Sequence, residues 1–183
     1  MLNIKKGRLL ISDPSLIEET FFKSVILITH HTEDESIGLI LNQETRITLD
    51  QLLKDIPVSD FPIYIGGPIE KNSIQFIHTL GNIIPNTQEI NKGLYWGGDF
   101  EKLLTLISKN KISKNQVRFF VGYSGWGANQ LNHEIKETGW ITHEANTNLC
   151  MQYSNKKLLR DLIKNKPQEY AIWVNMPKDP SLN

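Results

Sequence analysis

The chain of 183 residues contains a single cysteine, Cys150, which excludes an internal disulfide and a zinc cluster built on several thiolates. Net charge is also missing, because 20 basic residues face 20 acidic ones. The long-range field that concentrates DNA, RNA or an anionic membrane is therefore absent in aggregate. No apolar run approaches the roughly 18 residues of a membrane-spanning helix; VILI and IGLIL are strand-sized. The opening MLNIKKGRLLISDPS has no continuous apolar stretch of the signal-peptide kind. These absences predict a cytoplasmic protein in a reducing compartment, without a membrane role, and the length fits one domain over residues 1–183.

What is present reads first as strands: β-branched and apolar bursts at 8–11, 24–29 and 37–42, the last two flanking the polar hairpin segment HHTEDES. DPSLIEETFFK suits one helical turn or a loop. ITLDQLLKDI reads as a short helix with Thr48 as N-cap, Leu49, Leu52 and Leu53 on one face and Pro57 as its stop. FPIYIGGPI, SIQFIHTL and GLYWGG carry strand character, and DFEKLLTLISKN is the clearest helix, with Asp99 at the N-cap and Phe100, Leu103, Leu104 and Ile107 at helical spacing. QVRFFVGYSG predicts another strand, NQLNHEIKETG a helix ended by Gly139, WITHEA a strand, and SNKKLLRDLIKNK a last helix between Ser154 and Pro167. Early strands with late, irregularly interleaved helices favour an α+β fold over a doubly wound parallel sheet.

The segment FFVGYSGWGANQLNHEI has the strand, glycine-rich turn and helix order of phosphate-binding loops. Its details exclude them. A P-loop needs lysine after its second glycine, whereas Ala128 follows Gly127; a dinucleotide loop needs G-x-G-x-x-G, whereas Gly122, Gly125 and Gly127 are spaced three and two apart. A nucleophile elbow fails because Trp126 stands where the second glycine of G-x-S-x-G belongs, so Ser124 reads as a small residue in a tight turn and no catalytic residue is assigned. Tyr123 and Trp126 either anchor that turn on the core or close over a ligand. Gln130 and Glu134, four apart, share a helix face and either point into a cleft or form a surface pair. The five histidines lack metal-ligand spacing, so neither a metal nor another cofactor is expected. Basic residues concentrate at 109–118 and at Lys156, Lys157, Arg160, Lys164 and Lys166, which read as solvated helix ends.

Taken in order, RLLISDPSL, FFKSVILITHH, IGLILN, IGGPI, FFVGYSGWGANQL, HEI and DPSLN resemble the YqgE/AlgH family of small bacterial proteins over almost the whole chain. The resemblance implies a single α+β domain whose mainly antiparallel sheet is partly rolled into a barrel-like shape with helices packed around it. The residues that carry over are His31, Asn42, Gly66, Gly67, Pro68, Gly122, Tyr123, Gly125, Trp126, Gln130 and Glu134. Two departures stand out: Glu35 occupies a hairpin position where relatives usually have glycine, and Ser124 one where they often have alanine. The transcriptional-regulator label sometimes attached to this family has no helix-turn-helix signature behind it in this chain.

Three functions follow as expectations. The leading one is a non-enzymatic accessory or regulatory protein that binds a small ligand or protein partner near Gly122 to Glu134. The others are an enzyme using His31 and Glu134 as an acid/base pair, and a regulator touching nucleic acid through residues 109–118 and the last helix, which the neutral charge disfavours.

Overall fold

In the computed structural model, residues 4–14, 19–54, 56, 57, 59–137, 139–151 and 155–175 are described. The early apolar bursts form β1 (Arg8–Ser12), β2 (Val25–His31) and β3 (Glu35–Ile40), which pair in antiparallel order. Then come β4 (Glu44–Thr48), α1 (Leu49–Leu52), β5 (Pro62–Ile65), β6 (Ile69–His78), β7 (Gln88–Asn91) and β8 (Leu94–Trp96). The second half contains α2 (Phe100–Ser108), β9 (Val117–Gly127), α3 (Gln130–Glu137), β10 (Trp140–Glu144), α4 (Thr147–Met151), α5 (Asn155–Ile163) and α6 (Gln168–Asn175). The strands make one sheet in the order β10-β1-β2-β3-β9-β6-β8-β7, with β5 beside β9 and β4 beside β5. It is curled into a half-barrel, and the α+β architecture expected from the sequence is the one observed. All pairings are antiparallel except β5 with β9.

Side-chain alternation assigns the sheet's faces. Leu9, Ile11, Leu27, Leu39, Tyr64 and Phe120 pack with Cys150, Leu158, Leu162 and Trp173 of the last three helices. On the opposite face, Leu10, Ile26, Ile28 and Ile40 are covered by Trp126, Trp140 and by Leu131 of α3. Farther along, Ile63, Phe76, Val117 and Phe119 pack on Leu103 and Ile107 of α2.

Several expectations change. The supposed turn at residues 122–127 is strand: β9 runs unbroken to Gly127, and the only turn before α3 is Ala128–Asn129, with Asn129 at φ 58°. The helix expected over ITLDQLLKDI is a single turn, held where the Gln51 side chain accepts from the Thr48 N–H (3.1 Å), and its start is claimed by β4. Leu49 is buried, while Leu52 is exposed, so the proposed apolar face is only partly used. Polar QEIN forms β7, TNLCM forms α4, and Pro167 precedes a further helix rather than ending the chain's helical part. Asp99 caps α2 as expected, its side chain accepting from the Lys102 N–H at 2.9 Å. Ser154, the expected cap of the next helix, and the DPSLN motif lie outside the described residues.

Arg118 requires the largest correction. Read as part of a solvated basic stretch, it is fully buried, with its guanidinium 4.1 Å from the Tyr64 ring centroid. It donates to the Leu41 carbonyl (2.6 Å) and the Cys150 carbonyl (2.7 Å), tying the end of β3 to α4.

Candidate functional site

The two glycine motifs meet. Gly66, just past β5, donates its N–H to Val121 O and accepts from Ile40 N at its carbonyl, each at 2.9 Å, so it bridges β3 and β9. A Cβ on Gly66 would fall 2.2 Å from Gly122 O, and one on Gly67 would fall 2.2 Å from Tyr123 C. Only glycine permits this backbone approach. Pro68 follows on the surface and leads into β6.

Gly122, at φ +68°, then reverses the strand's facing. Before it, Phe120 faces the last helices while Phe119 and Val121 face α2; beyond it, Tyr123 joins the Phe120 cluster and Trp126 joins the α3 side. Two residues on one face are thus separated by three positions rather than two, opposite the irregular stretch of β6 between Ile69 and Ile74. The change lets β9 leave β5 and pair with β3 from Ser124 to Gly127. Ser124 is buried and donates its hydroxyl to Gly66 O (3.2 Å), so it fastens the crossing. Gly125 clears space for Ile69, whose Cδ1 would lie 2.8 Å from an added Cβ. Tyr123, half-buried, pairs with Ile69 in the ladder, and its phenol titrates above the usual range through desolvation and the nearby Glu70 and Glu35 charges.

Trp126, Gln130 and Glu134 are brought together. Both Trp126 Nε1–H (2.8 Å) and Trp140 Nε1–H (3.1 Å) donate to Glu134 Oε2, and Gln130 Nε2–H donates to Oε1 (3.0 Å). Gln130 Oε1 in turn accepts from the Gly127 N–H at 3.0 Å. Phe21 packs on both indoles, with centroids 6.3 and 5.6 Å away. The helix-face pairing of 130 with 134 is real, and the carboxylate is engaged within the fold.

Asn42 plays a backbone-like part: Oδ1 accepts from Val25 N (2.8 Å) and Nδ2 donates to Lys23 O (2.7 Å) where β2 begins. His31 stands apart from these groups, at the far end of β2. Its Nδ1 shares a 2.8 Å hydrogen bond with Ser36 Oγ. Burial, with His30 beside it, lowers its pKa, so the imidazole is neutral near pH 7.

His31 lines a cleft of about 510 Å³ with Ile4, Thr32, Glu33, Asn129 and Asn132. The cleft lies between the β2–β3 hairpin tip and the start of α3. Thr32 is held by its own turn, its hydroxyl accepting from the Glu35 N–H at 3.2 Å. Asn129 owes its place to a left-handed backbone that asparagine tolerates better than most residues. Sequence reasoning had assigned Asn129 and Asn132 to a helix and missed their role; the G-A-N step before α3 was the one available signal. Among the described residues, no group of three or more His, Cys, Asp or Glu side chains is placed to hold a metal ion, and no helix is long and apolar enough to cross a membrane.

Comparison with known proteins places this geometry in a family. A profile described as AlgH-like matches residues 9–171. A UPF0301 protein of Parabacteroides distasonis is 38% identical over 180 residues, covering 97% of this chain and 91% of that one. One from Chlorobaculum parvum is 34% identical over 180 residues, covering 98% and 96%. The solution structure of the AlgH protein from Pseudomonas aeruginosa superposes with TM-score 0.73 at 21% identity, covering 97% of this chain and 98% of that one, so it supports the fold. The crystal structure of protein DIP2367 from Corynebacterium diphtheriae gives 0.74, also at 21% identity, covering 95% and 93%. Matched by that profile over residues 9–171 and by these UPF0301 proteins over nearly its whole length, the chain belongs to the AlgH-like family.

Proposed function

We propose that this is a non-enzymatic binding protein, and that the cleft at His31, Thr32, Asn129 and Asn132 receives a small polar ligand or an amide-bearing segment of a partner protein. The observation that carries the reading is the lining itself: a neutral imidazole, a hydroxyl and two carboxamides around one 510 Å³ space, with Glu33 at the rim and Ile4 as the apolar contribution. Such groups donate and accept hydrogen bonds without the charge that would restrict them to ions.

Catalysis is the weaker reading for a geometric reason. The acid/base pair considered from the sequence would need His31 and Glu134 aimed at a common substrate. Glu134 accepts from two indoles and a carboxamide, and His31 is bonded to Ser36. Gly66, Gly67, Gly122 and Ser124 hold β9 where it passes from β5 to β3, and Asn42 bonds the backbone at the start of β2.

Amide-proton spectra of the full chain, titrated with capped dipeptides and with simple polyols, test the proposal. Shifts confined to residues 31–33 and 129–132, abolished by Asn132→Leu, are expected. No shift at these amides with either probe class, or shifts that Asn132→Leu leaves intact, would overturn it.

A further inference from the structure

A second concave feature lies on the opposite part of the molecule, between α5 and α6. Arg160, Ile163, Lys164, Lys166, Ala171, Val174 and Asn175 enclose about 410 Å³. Its apolar lining is the buried Ile163, the half-buried Val174 and the exposed Ala171, and every charged residue that lines it is cationic. Asp161 and Glu169 belong to the same two helices but do not line it. Among the described residues, Lys164 and Lys166 make no ion pair, and Arg160 donates to the neutral Asn175 side chain (3.0 Å). In a chain with no net charge, three cations around an apolar trough, without an ion pair among the described residues, are a local concentration of one sign.

Two observations separate the classes of anionic partner. The groove presents no aromatic face on which a base could stack: Trp173 of α6 is buried beside Phe22, and Tyr170 donates its hydroxyl to Asp13 (2.7 Å). In the other basic stretch, 109–118, two of the four cations are withdrawn from any phosphate track, since Arg118 is fully buried and Lys114 is paired with Asp60. An apolar floor with a cationic rim instead complements an amphipathic helix whose apolar ridge is flanked by carboxylates.

We propose that the α5–α6 groove is a docking site for an acidic amphipathic helical segment of a partner protein. Ile163, Ala171 and Val174 take its apolar ridge, and Arg160, Lys164 and Lys166 meet its carboxylates. The site is separate from the His31 cleft, and its test does not depend on that cleft.

The experiment is a fluorescence-anisotropy titration of the full-length protein with a labelled acidic peptide of about 14 residues, with leucine at i, i+3, i+4 and i+7 and glutamate on both flanks. Saturable binding is expected at low ionic strength, weakened roughly tenfold or more by R160Q/K164Q/K166Q, whose side chains are exposed, and by raising salt to about 0.5 M. Ala171→Glu, which places a like charge on the floor, should weaken it independently. The same peptide with glutamine for glutamate should bind far more weakly. No binding at low salt, equal binding by the triple variant, or tighter binding of single-stranded DNA of matched charge would overturn the proposal.

Discussion

Removing the carboxylate that both indoles share should expose how the α3 face is held. Glu134→Ala leaves Trp126 and Trp140, 4% and 6% exposed, with their N–H groups facing a void that held an oxygen at 2.8 and 3.1 Å. A hydrogen bond to a charged acceptor is worth about 1.5–3 kcal/mol, and a buried donor left unmade costs about 1–3 kcal/mol. Glu134 is itself only half-buried, so water reaches it and the lower ends apply. Two such bonds together then give a loss of about 3 kcal/mol, and at roughly 2–4 °C per kcal/mol for a chain of this size the midpoint falls by about 6–12 °C. Glu134→Gln keeps one acceptor oxygen for the indoles but loses the charge, and should cost about 1 kcal/mol. Urea unfolding followed by tryptophan fluorescence is the appropriate assay, because two of the chain's four tryptophans report on this clamp. An unchanged m-value with a shifted midpoint identifies the effect as stability. If Glu134→Ala stays within about 0.5 kcal/mol of the parent, or the two variants are indistinguishable, the clamp does not hold the α3 face.

Other perturbations probe other parts of the same argument. Gly66→Ala should abolish soluble expression or cost more than about 3 kcal/mol, because the new Cβ lands 2.2 Å from a backbone oxygen that cannot rotate away; Gly93→Ala, with nothing within 4 Å but φ +76°, should cost about 1 kcal/mol. His78 is fully buried, with Nδ1 accepting from the Leu80 N–H (3.1 Å) and Nε2 bonded to Gly97 O (2.9 Å), and burial pushes its pKa below the usual 6.5. The folded state therefore binds fewer protons than the unfolded one, so its contribution is present above pH 6.5 and lost as pH falls below it. Urea midpoints between pH 8 and pH 5 should fall on that side, and His78→Gln should flatten the dependence; an unchanged slope in the variant refutes the assignment. Cys150, fully buried with its thiol pushed up to about 12 by desolvation, should resist a disulfide reagent at pH 8 until denaturant is added, and prompt labelling of the native protein would contradict its placement.

How far these features were legible depends on the range of the interactions that make them. Strands β1 to β3, helix α2 with its Asp99 cap and the pairing of Gln130 with Glu134 arise from patterns within about four residues, and each was visible. β7 was not, since QEIN is polar and becomes a strand only because Gln88, Glu89 and Asn91 find Trp96, Tyr95 and Leu94 across a tight turn. FFVGYSGWG looked like a turn for a related reason. Gly122 is needed for close contact with Gly66 and Gly67, more than fifty residues earlier, and Gly125 for contact with Ile69, and glycine density alone cannot distinguish a bend from a close approach of strands. His31 was found by resemblance, whereas Asn129 and Asn132 join it only after the hairpin and α3 are folded together.

Arg118 shows why a charge-based reading could fail where a pleat-based one would not. Within VRFFV, strand alternation puts Arg118 on the same face as Phe120, which is interior, while Val117 and Phe119 face α2. Charge argues for solvent, and for most arginines it prevails. Here the cost of burial is offset by a fixed set of partners: the face of Tyr64 and two carbonyls, at Leu41 and Cys150, 77 and 32 residues away. Both carbonyls lie at the ends of elements, one just beyond β3 and the other in the last turn of α4, where backbone acceptors run out of ladder or helix partners. The two Nη groups of the buried guanidinium and these end-of-element carbonyls therefore pair with one another. The same arginine that charge alone assigns to a nucleic-acid surface instead closes the interior, and is lost to any cationic surface that the helices α5 and α6 present.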